Sequence, residues 1–201
     1  MNALEPIAEP GDLVVVASGA GQGLLSSLIR WRTGSGFSHA QLVTRPGLAR
    51  TLAFGVLEVG WRIREARAFD VLEGRAFVVW RPPLHVELRF AAAGDARRLV
   101  AELERRGESR YPWWKLVPYA LGRSAAARIL RGGPRQVCSV ASVYPLVQRG
   151  LELYAWDAAA GDYERLDRDA EVRTVTPADV QRNAIERGWR RVYETPRAPV
   201  I

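Results

Sequence analysis

Almost all of the short apolar segments in this chain lie in its first 80 residues, and the longer Ala-, Leu- and Arg-rich segments come later. The clearest early segment is residues 11–18, where a glycine turn leads into an unbroken valine-rich run that is typical of a buried strand. Strands that come first and helices that come later favour an α+β protein. The order of the segments is therefore the strongest constraint that the sequence places on the fold.

The remaining segments give a coarse outline of the secondary structure. Further strands are predicted at residues 38–44, 53–61, 75–80 and 189–193, and helices at residues 21–32, 91–106 and 138–148. Residues 111–122 are expected to form an aromatic, partly helical segment, and residues 158–169 a polar loop. Thr176 is a favoured N-cap and Pro177 suits the first position of a last short helix. The length of 201 residues predicts one domain over residues 1–201 that can bury a core without cross-links.

The counts of cysteine and histidine exclude several kinds of site. The chain has one cysteine, Cys138, and two histidines, His39 and His85. One cysteine excludes an internal disulfide and any CxxC metal site, and two histidines are too few for a His-rich zinc site. The glycines of residues 19–23 lack the sixth-position glycine of a dinucleotide fingerprint and the lysine of a phosphate-binding loop. We therefore expect no metal and no other cofactor.

The N-terminus bears on the expected compartment. The first ten residues hold two acidic and no basic residues before any apolar run, which is unlike a signal peptide. No window of the sequence reaches the roughly 18 consecutive apolar residues of a membrane span. The expected location is the cytoplasm, and export by a non-classical route stays open.

The charge of the chain is strongly positive, with a formal net charge of +7 and 29 basic residues, of which only Lys115 is a lysine. Such a balance is compatible with a nucleic acid, an anionic lipid or an acidic polymer as partner. The arginines are scattered and occur at most in adjacent pairs, with no basic run of the 5–8 residues that a nucleic-acid patch motif has. We expect a solvated basic surface without a specific nucleic-acid partner, and contact with an anionic surface stays open.

Two residues could carry nucleophilic chemistry. Cys138 follows the Gly-Gly-Pro sequence at residues 132–134 and opens a predicted apolar helix, where free N–H groups and the helix dipole favour the thiolate. The alternative is that Cys138 is a small buried hydrophobe. His39 lies near the start of a predicted strand, which would hold an imidazole rigidly, as a general base requires. His85, in a loop-like segment, is the weaker candidate for the base.

Glu58 is a carboxylate inside an otherwise apolar predicted strand, and burying it is costly unless it is paired. The turn at residues 46–47 could bring this strand beside the strand of His39. Glu58 would then accept a hydrogen bond from the imidazole and fix its tautomer. The alternative, which the pattern leaves equally open, is that Glu58 points into water.

Several short motifs together resemble one protein family. The chain is similar to the permuted papain-like hydrolases, which are the NlpC-type cysteine peptidase superfamily in circularly permuted form, and most of all to the YiiX/YebB-like branch. Lecithin:retinol acyltransferase-like enzymes are relatives of that family. His39 comes 99 residues before Cys138, which is the order that a permuted chain requires. The resemblance covers about residues 11–182 and rests on Gly11-Asp12-Leu13-Val14, Phe37-Ser38-His39-Ala40, Val56-Leu57-Glu58, Val137-Cys138-Ser139 and Thr176-Pro177-Ala178-Asp179.

The resemblance implies an antiparallel sheet packed against helices, and it implies a role for each matching residue. Cys138 would be the nucleophile, His39 the base and Glu58 the third member that orients the imidazole. Tyr111 and Ser139 would contribute to the substrate or oxyanion site. The chain departs from the family at Val140, where many members have an acidic residue two positions after the cysteine, and in the prolines around Tyr111.

The resemblance also implies a reaction. We expect a cysteine hydrolase that cleaves an amide or ester bond, in a peptidoglycan-type peptide or a lipid-linked acyl substrate, through an acyl-enzyme. A thiol acyltransferase of the same fold shares every step except the last. A binding module for an anionic partner, without catalysis, is the alternative from another class. The oligomeric state and the identity of the substrate do not follow from the sequence.

Overall fold

The computed structural model describes residues 5–17, 36–59, 62–110, 138–157, 162–166 and 175–196. In that part of the chain the helices are α1 (Ala68–Leu72), α2 (Val86–Arg105), α3 (Cys138–Val147) and α4 (Pro177–Glu186). The strands are β1 (Ile7–Ala8), β2 (Leu13–Ala17), β3 (Phe37–Arg45), β4 (Gly47–Leu48), β5 (Gly55–Val59), β6 (Ile63–Arg67), β7 (Phe77–Arg81), β8 (Tyr154–Asp157), β9 (Asp162–Arg165) and β10 (Arg190–Glu194).

Six strands form one antiparallel sheet in the order β10-β7-β2-β3-β5-β6. β2 lies between β7 and β3, and all five of its residues are buried. A strand that is covered on both faces has no need of polar alternation, which explains its valine run. The pairs β1–β4 and β8–β9 form two separate two-stranded sheets.

The sheet carries a hydrophobic cluster on each face. The larger cluster joins alternate residues of β2, such as Leu13 and Val15, to apolar residues of α2, α3 and α4. The smaller cluster joins the intervening residues, such as Val14 and Val16, to α1. The described residues therefore form a mixed α/β structure in which three helices cover one face of an antiparallel sheet and α1 covers part of the other.

Most of the predicted elements are confirmed. Strands occur within or close to the predicted residues 11–18, 38–44, 53–61, 75–80 and 189–193, and helices cover the predicted residues 138–148 and the segment after Thr176. Thr176 is the N-cap of α4: its hydroxyl accepts from the N–H of Asp179 at 3.2 Å, and the carboxylate of Asp179 accepts from the N–H of Thr176 at 2.9 Å. The predicted helix at residues 91–106 begins earlier, at Val86.

The sequence interpretation misses α1 and the strands β1, β4, β6 and β8, and its polar loop at residues 158–169 is wrong in part because β9 lies inside it. β6 is an edge strand, and only Ile63 of its five residues is buried, so it lacks the apolar pattern of an inner strand. The predicted helix at residues 21–32 and the aromatic segment at residues 111–122 lie outside the described residues.

Candidate active site

Cys138 is the first residue of α3, and its side chain is only 7% exposed. The first N–H groups of a helix have no partner within the helix, and the helix dipole adds positive charge at this end. The thiol therefore lies where a negative charge is stabilised. This is the position that the sequence predicts.

The start of α3 is hydrogen-bonded to the backbone of Ala40 on β3. Val43 faces the chain just before β2: its N–H donates to the C=O of Asp12 at 2.8 Å, and its C=O accepts from the N–H of Gly11 at 2.9 Å. Backbone polar groups of successive strand residues point to opposite sides, so those of Ala40, three residues earlier, point away from β2. The N–H of Ala40 donates to the sulfur of Cys138, and its C=O accepts from the Ser142 hydroxyl at 3.0 Å. Residues four apart share one helix face. Cys138 and Ser142 thus fix the first turn of α3 to one residue of the sheet.

His39 is next to Ala40 on β3, opposite Val16 of β2, and is partly exposed. Its imidazole forms a side-chain hydrogen bond with Cys138. The structure thus joins the predicted nucleophile to the predicted base. The other histidine, His85, is the residue that precedes α2.

The pKa values of the two groups move in opposite directions. Burial raises the pKa of the Cys138 thiol, but the charge and hydrogen bond of His39, together with the N–H groups of Ala40 and Ser139, lower it to below its ordinary value. Burial lowers the pKa of His39, and the exposed Arg75 lowers it further. The charge and hydrogen bond of Cys138, helped by the charge of Glu58, outweigh these effects and raise the pKa of His39. Both shifts favour a thiolate beside an imidazolium.

Glu58 lies on β5, and the strand pairing that its proposed role needs is present. β3 pairs with β5 through Leu42 opposite Leu57 and Val43 opposite Val56. The carboxylate accepts a hydrogen bond at 2.6 Å from Nε of Arg64, its cross-strand partner on β6. Its charge reaches His39 as the smallest of the contributions to that pKa. In the described part of the chain the donor to this carboxylate is Arg64. The orienting hydrogen bond from His39 to Glu58 therefore stays a prediction.

Of the two residues predicted for the substrate or oxyanion site, only Ser139 belongs to the described residues. The Ser139 hydroxyl is buried and donates to the backbone C=O of Val175, just before α4. What this residue offers the site is its backbone N–H, which bonds the sulfur of Cys138. The predicted role of Tyr111 lies outside the described residues.

The sequence interpretation did not include Ala40, Ser142 and Arg75 among the functional positions. Ser142 could have been found, because it is a small polar residue one helical turn after Cys138 in an apolar helix. Ala40 contributes through its backbone N–H and C=O, so its residue type gives no indication of this role. Arg75 is distant from His39 in the sequence and lies near it only because of the order of the strands in the sheet.

A groove of about 560 Å³ opens at the other end of the same strands. It is lined by the C-terminal ends of β3 and β6 and the beginning of β5, with Arg45, Glu65 and Phe69 among its walls. Arg45 is six residues from His39, or about 20 Å along an extended strand. The groove is therefore separate from the Cys138–His39 pair.

No protein-family model matches the chain, and no curated protein matches it. Within the described ranges, no group of three or more His, Cys, Asp and Glu side chains could hold a metal ion. A search of the same described helices finds none with the length and apolarity needed to cross a bilayer.

Proposed function

We propose that this chain is a cysteine hydrolase of the permuted papain-like type, which cleaves an amide or ester bond through Cys138 and His39. The observation that carries the proposal is the side-chain hydrogen bond between the thiol and the imidazole at the beginning of a helix. A lone buried cysteine is usually inert. A cysteine with a lowered pKa, bonded to a histidine with a raised pKa, is a typical nucleophile and base.

The arrangement of elements supports the finer fold assignment. His39 lies on β3, an inner strand of an antiparallel sheet, and the cysteine helix packs on that strand through Ala40. The histidine strand precedes the cysteine helix in the chain, as in the permuted papain-like order suggested by the motifs. The proposal therefore rests on the sheet and the pair together, and neither would be enough alone.

The reaction would proceed through an acyl-enzyme. His39 takes the proton of the Cys138 thiol, and the sulfur attacks the substrate carbonyl carbon, which places negative charge on the carbonyl oxygen. N–H groups at the start of α3 are the donors available to that oxyanion. The C–N or C–O bond then breaks, and the leaving amine or alcohol takes the proton from His39. Water next gives a proton to His39, attacks the thioester, and releases the acid as the thiol is reformed.

The proposed substrate class is an acyl compound, either a peptidoglycan-type peptide or a lipid-linked acyl group. An acyltransferase of the same fold differs only in the acceptor that resolves the thioester. Glu58 is proposed as a residue that supports the charge on His39 through its own negative charge. Its bond to Arg64 holds the carboxylate in place on β5.

The experiment that tests this function combines substrate turnover with mass spectrometry of the intact protein. Wild type, Cys138→Ser, His39→Ala and the control His85→Ala are incubated with p-nitrophenyl acyl esters and with stem-peptide amides. We expect turnover and an acyl adduct on wild type and on His85→Ala. We expect a loss of turnover of about 100-fold or more in the other two variants. Turnover retained in Cys138→Ser would overturn the proposal, and products formed with an added amine would identify an acyltransferase.

A further inference from the structure

A buried glutamine follows His39 two residues later on β3. Gln41 is 1% exposed, yet its Oε1 atom has no hydrogen-bond partner among the described residues. Leaving a buried carbonyl oxygen unpaired is costly, and native proteins leave few such groups, so each of them asks for an explanation. A leucine of similar size would avoid the cost entirely. The position therefore points to a use for the oxygen.

The strand register places Gln41 and His39 on the same face of the sheet. His39 is opposite Val16 and Gln41 is opposite Val14, and side chains two residues apart on a strand point in the same direction. Their Cα atoms are about 7 Å apart in an extended strand, and both side chains are long. The terminal torsions of glutamine are soft, so its carboxamide can turn toward the ring.

His39 needs an acceptor on the side of the ring away from Cys138. One ring nitrogen bonds the thiol, and the other carries an N–H both in the neutral tautomer that can take the thiol proton and in the imidazolium. The charged groups around His39 are Cys138 on α3, Glu58 on β5, and Arg75 between α1 and β7. Arg75 offers only donors, and the carboxylate of Glu58 is already bonded to Arg64. Gln41 offers an acceptor oxygen that no other group in the described part of the chain uses.

We propose that Gln41 is a positioning residue whose Oε1 atom accepts the N–H of His39 that faces away from Cys138. The bond fixes the tautomer in which the nitrogen beside the sulfur is free to take its proton. It also stabilises the imidazolium after the transfer. This inference rests on the proposed function, because it assigns a residue to the same nucleophile–base pair.

The test uses the two histidines of the chain as two NMR signals. Protein labelled with ¹⁵N-histidine is examined for wild type and Gln41→Leu, and His85 is the internal reference. We expect the ring nitrogens of His39 in Gln41→Leu to report a mixture of tautomers. We also expect alkylation of Cys138 by iodoacetamide at pH 6 to become about tenfold slower, as the loss of a hydrogen bond to a charged group predicts. Gln41→Glu, which restores an acceptor, should recover the rate.

A second readout separates positioning from packing. Gln41→Leu keeps the size of the side chain but leaves the N–H of His39 without its acceptor, so its midpoint of urea unfolding should fall and its thiol should become less reactive. The control Thr44→Val removes a buried hydroxyl from the same strand, where it donates to Glu65 at 2.8 Å. That variant should lower the unfolding midpoint and leave the His39 signals and the alkylation rate as they are. If Gln41→Leu does not fold, Gln41→Met takes its place with the same expectations.

Three results would overturn the inference, and they differ in what else they overturn. If His39→Ala abolishes the fast alkylation but Gln41→Leu changes neither the His39 signals nor the rate, Gln41 has no positioning role and the proposed function stands. If Glu58→Leu produces the tautomer mixture in the same experiment and Gln41→Leu does not, the carboxylate is the acceptor and the proposed function stands. If wild-type Cys138 reacts as an ordinary thiol and at the same rate as in His39→Ala, the proposed function is wrong, and the inference about Gln41 is wrong with it.

Discussion

At the scale of single residues, the clearest buried charge is one that several groups of opposite charge surround. Asp12 is fully buried, and burial raises the pKa of its carboxyl, although hydrogen bonds and charges from Arg81 and Arg89 oppose that effect. Arg81 donates to both of its oxygens at 2.9 Å, and Arg89 donates to Oδ1 at 3.0 Å. Gly11 makes this approach possible: its φ is +87°, and an added Cβ would lie 2.5 Å from the Cβ of Arg89. One carboxylate thus ties the beginning of β2 to β7 and α2.

We predict that Asp12→Ala lowers the free energy of unfolding by about 3–5 kcal/mol, because it leaves two largely buried guanidinium groups without their central partner. Urea unfolding followed by circular dichroism measures the loss. The control is Glu102→Ala, since Glu102 also pairs with two arginines, Arg105 and Arg106, but on the exposed surface of α2. That variant should unfold almost as wild type does. Equal losses in the two variants would contradict this interpretation of the buried cluster.

At the scale of elements, the site depends on how α3 packs on β3. The helix contributes Cys138 and Ser142 to the two polar groups of Ala40, and its Ser139 hydroxyl bonds the chain just before α4. The first turn of α3 is therefore held from two sides. Of the two serine bonds, only the one from Ser142 ties α3 to the strand of His39.

We predict that Ser142→Ala lowers the free energy of unfolding by about 1–3 kcal/mol, because the C=O of Ala40 is left buried without a donor. The same variant should slow alkylation of Cys138 near neutral pH, since the first turn can then move away from β3. Ser139→Ala is the matched control: it should cost similar stability while leaving the alkylation rate close to that of wild type. The two rates are compared with iodoacetamide under native conditions, and an equal slowing of both would refute the distinction.

At the scale of the whole molecule, the sheet was easier to predict than the site. Valine-rich runs and turn residues mark β2, β3, β5 and β7, because inner strands are buried and their pattern shows it. β6 escaped prediction because an edge strand can be charged, as its sequence IREAR is. Cys138, His39 and Glu58 could be singled out as residue types in unusual places. The pairing of Cys138 with His39 followed from the family resemblance. The bonds of Cys138 to Ala40 and of Glu58 to Arg64 could not be predicted, because they depend on which elements become neighbours.

The arginines of the molecule also fit the sequence interpretation of a dispersed basic surface. Many of them form ion pairs at separate places in the described structure, such as Arg105 with Glu102 on α2, Arg165 with Glu152 and Arg191 with Glu194. Exposed pairs of this kind contribute little stability and are screened by salt. They give no reason to connect the positive charge of the chain with the chemistry at Cys138.

The central claim is that His39 activates Cys138, and the pH dependence of Cys138 alkylation tests it most directly because the chain has one cysteine. Below its pKa a thiol is protonated and slow, so a lowered pKa keeps alkylation fast at pH values below the ordinary thiol pKa of 9.0. In His39→Ala the charge and hydrogen bond disappear while the burial stays, so the pKa of the thiol should rise and the fast reaction near neutral pH should vanish. A wild-type profile centred at or above the ordinary thiol value, and the same in His39→Ala, would contradict the account.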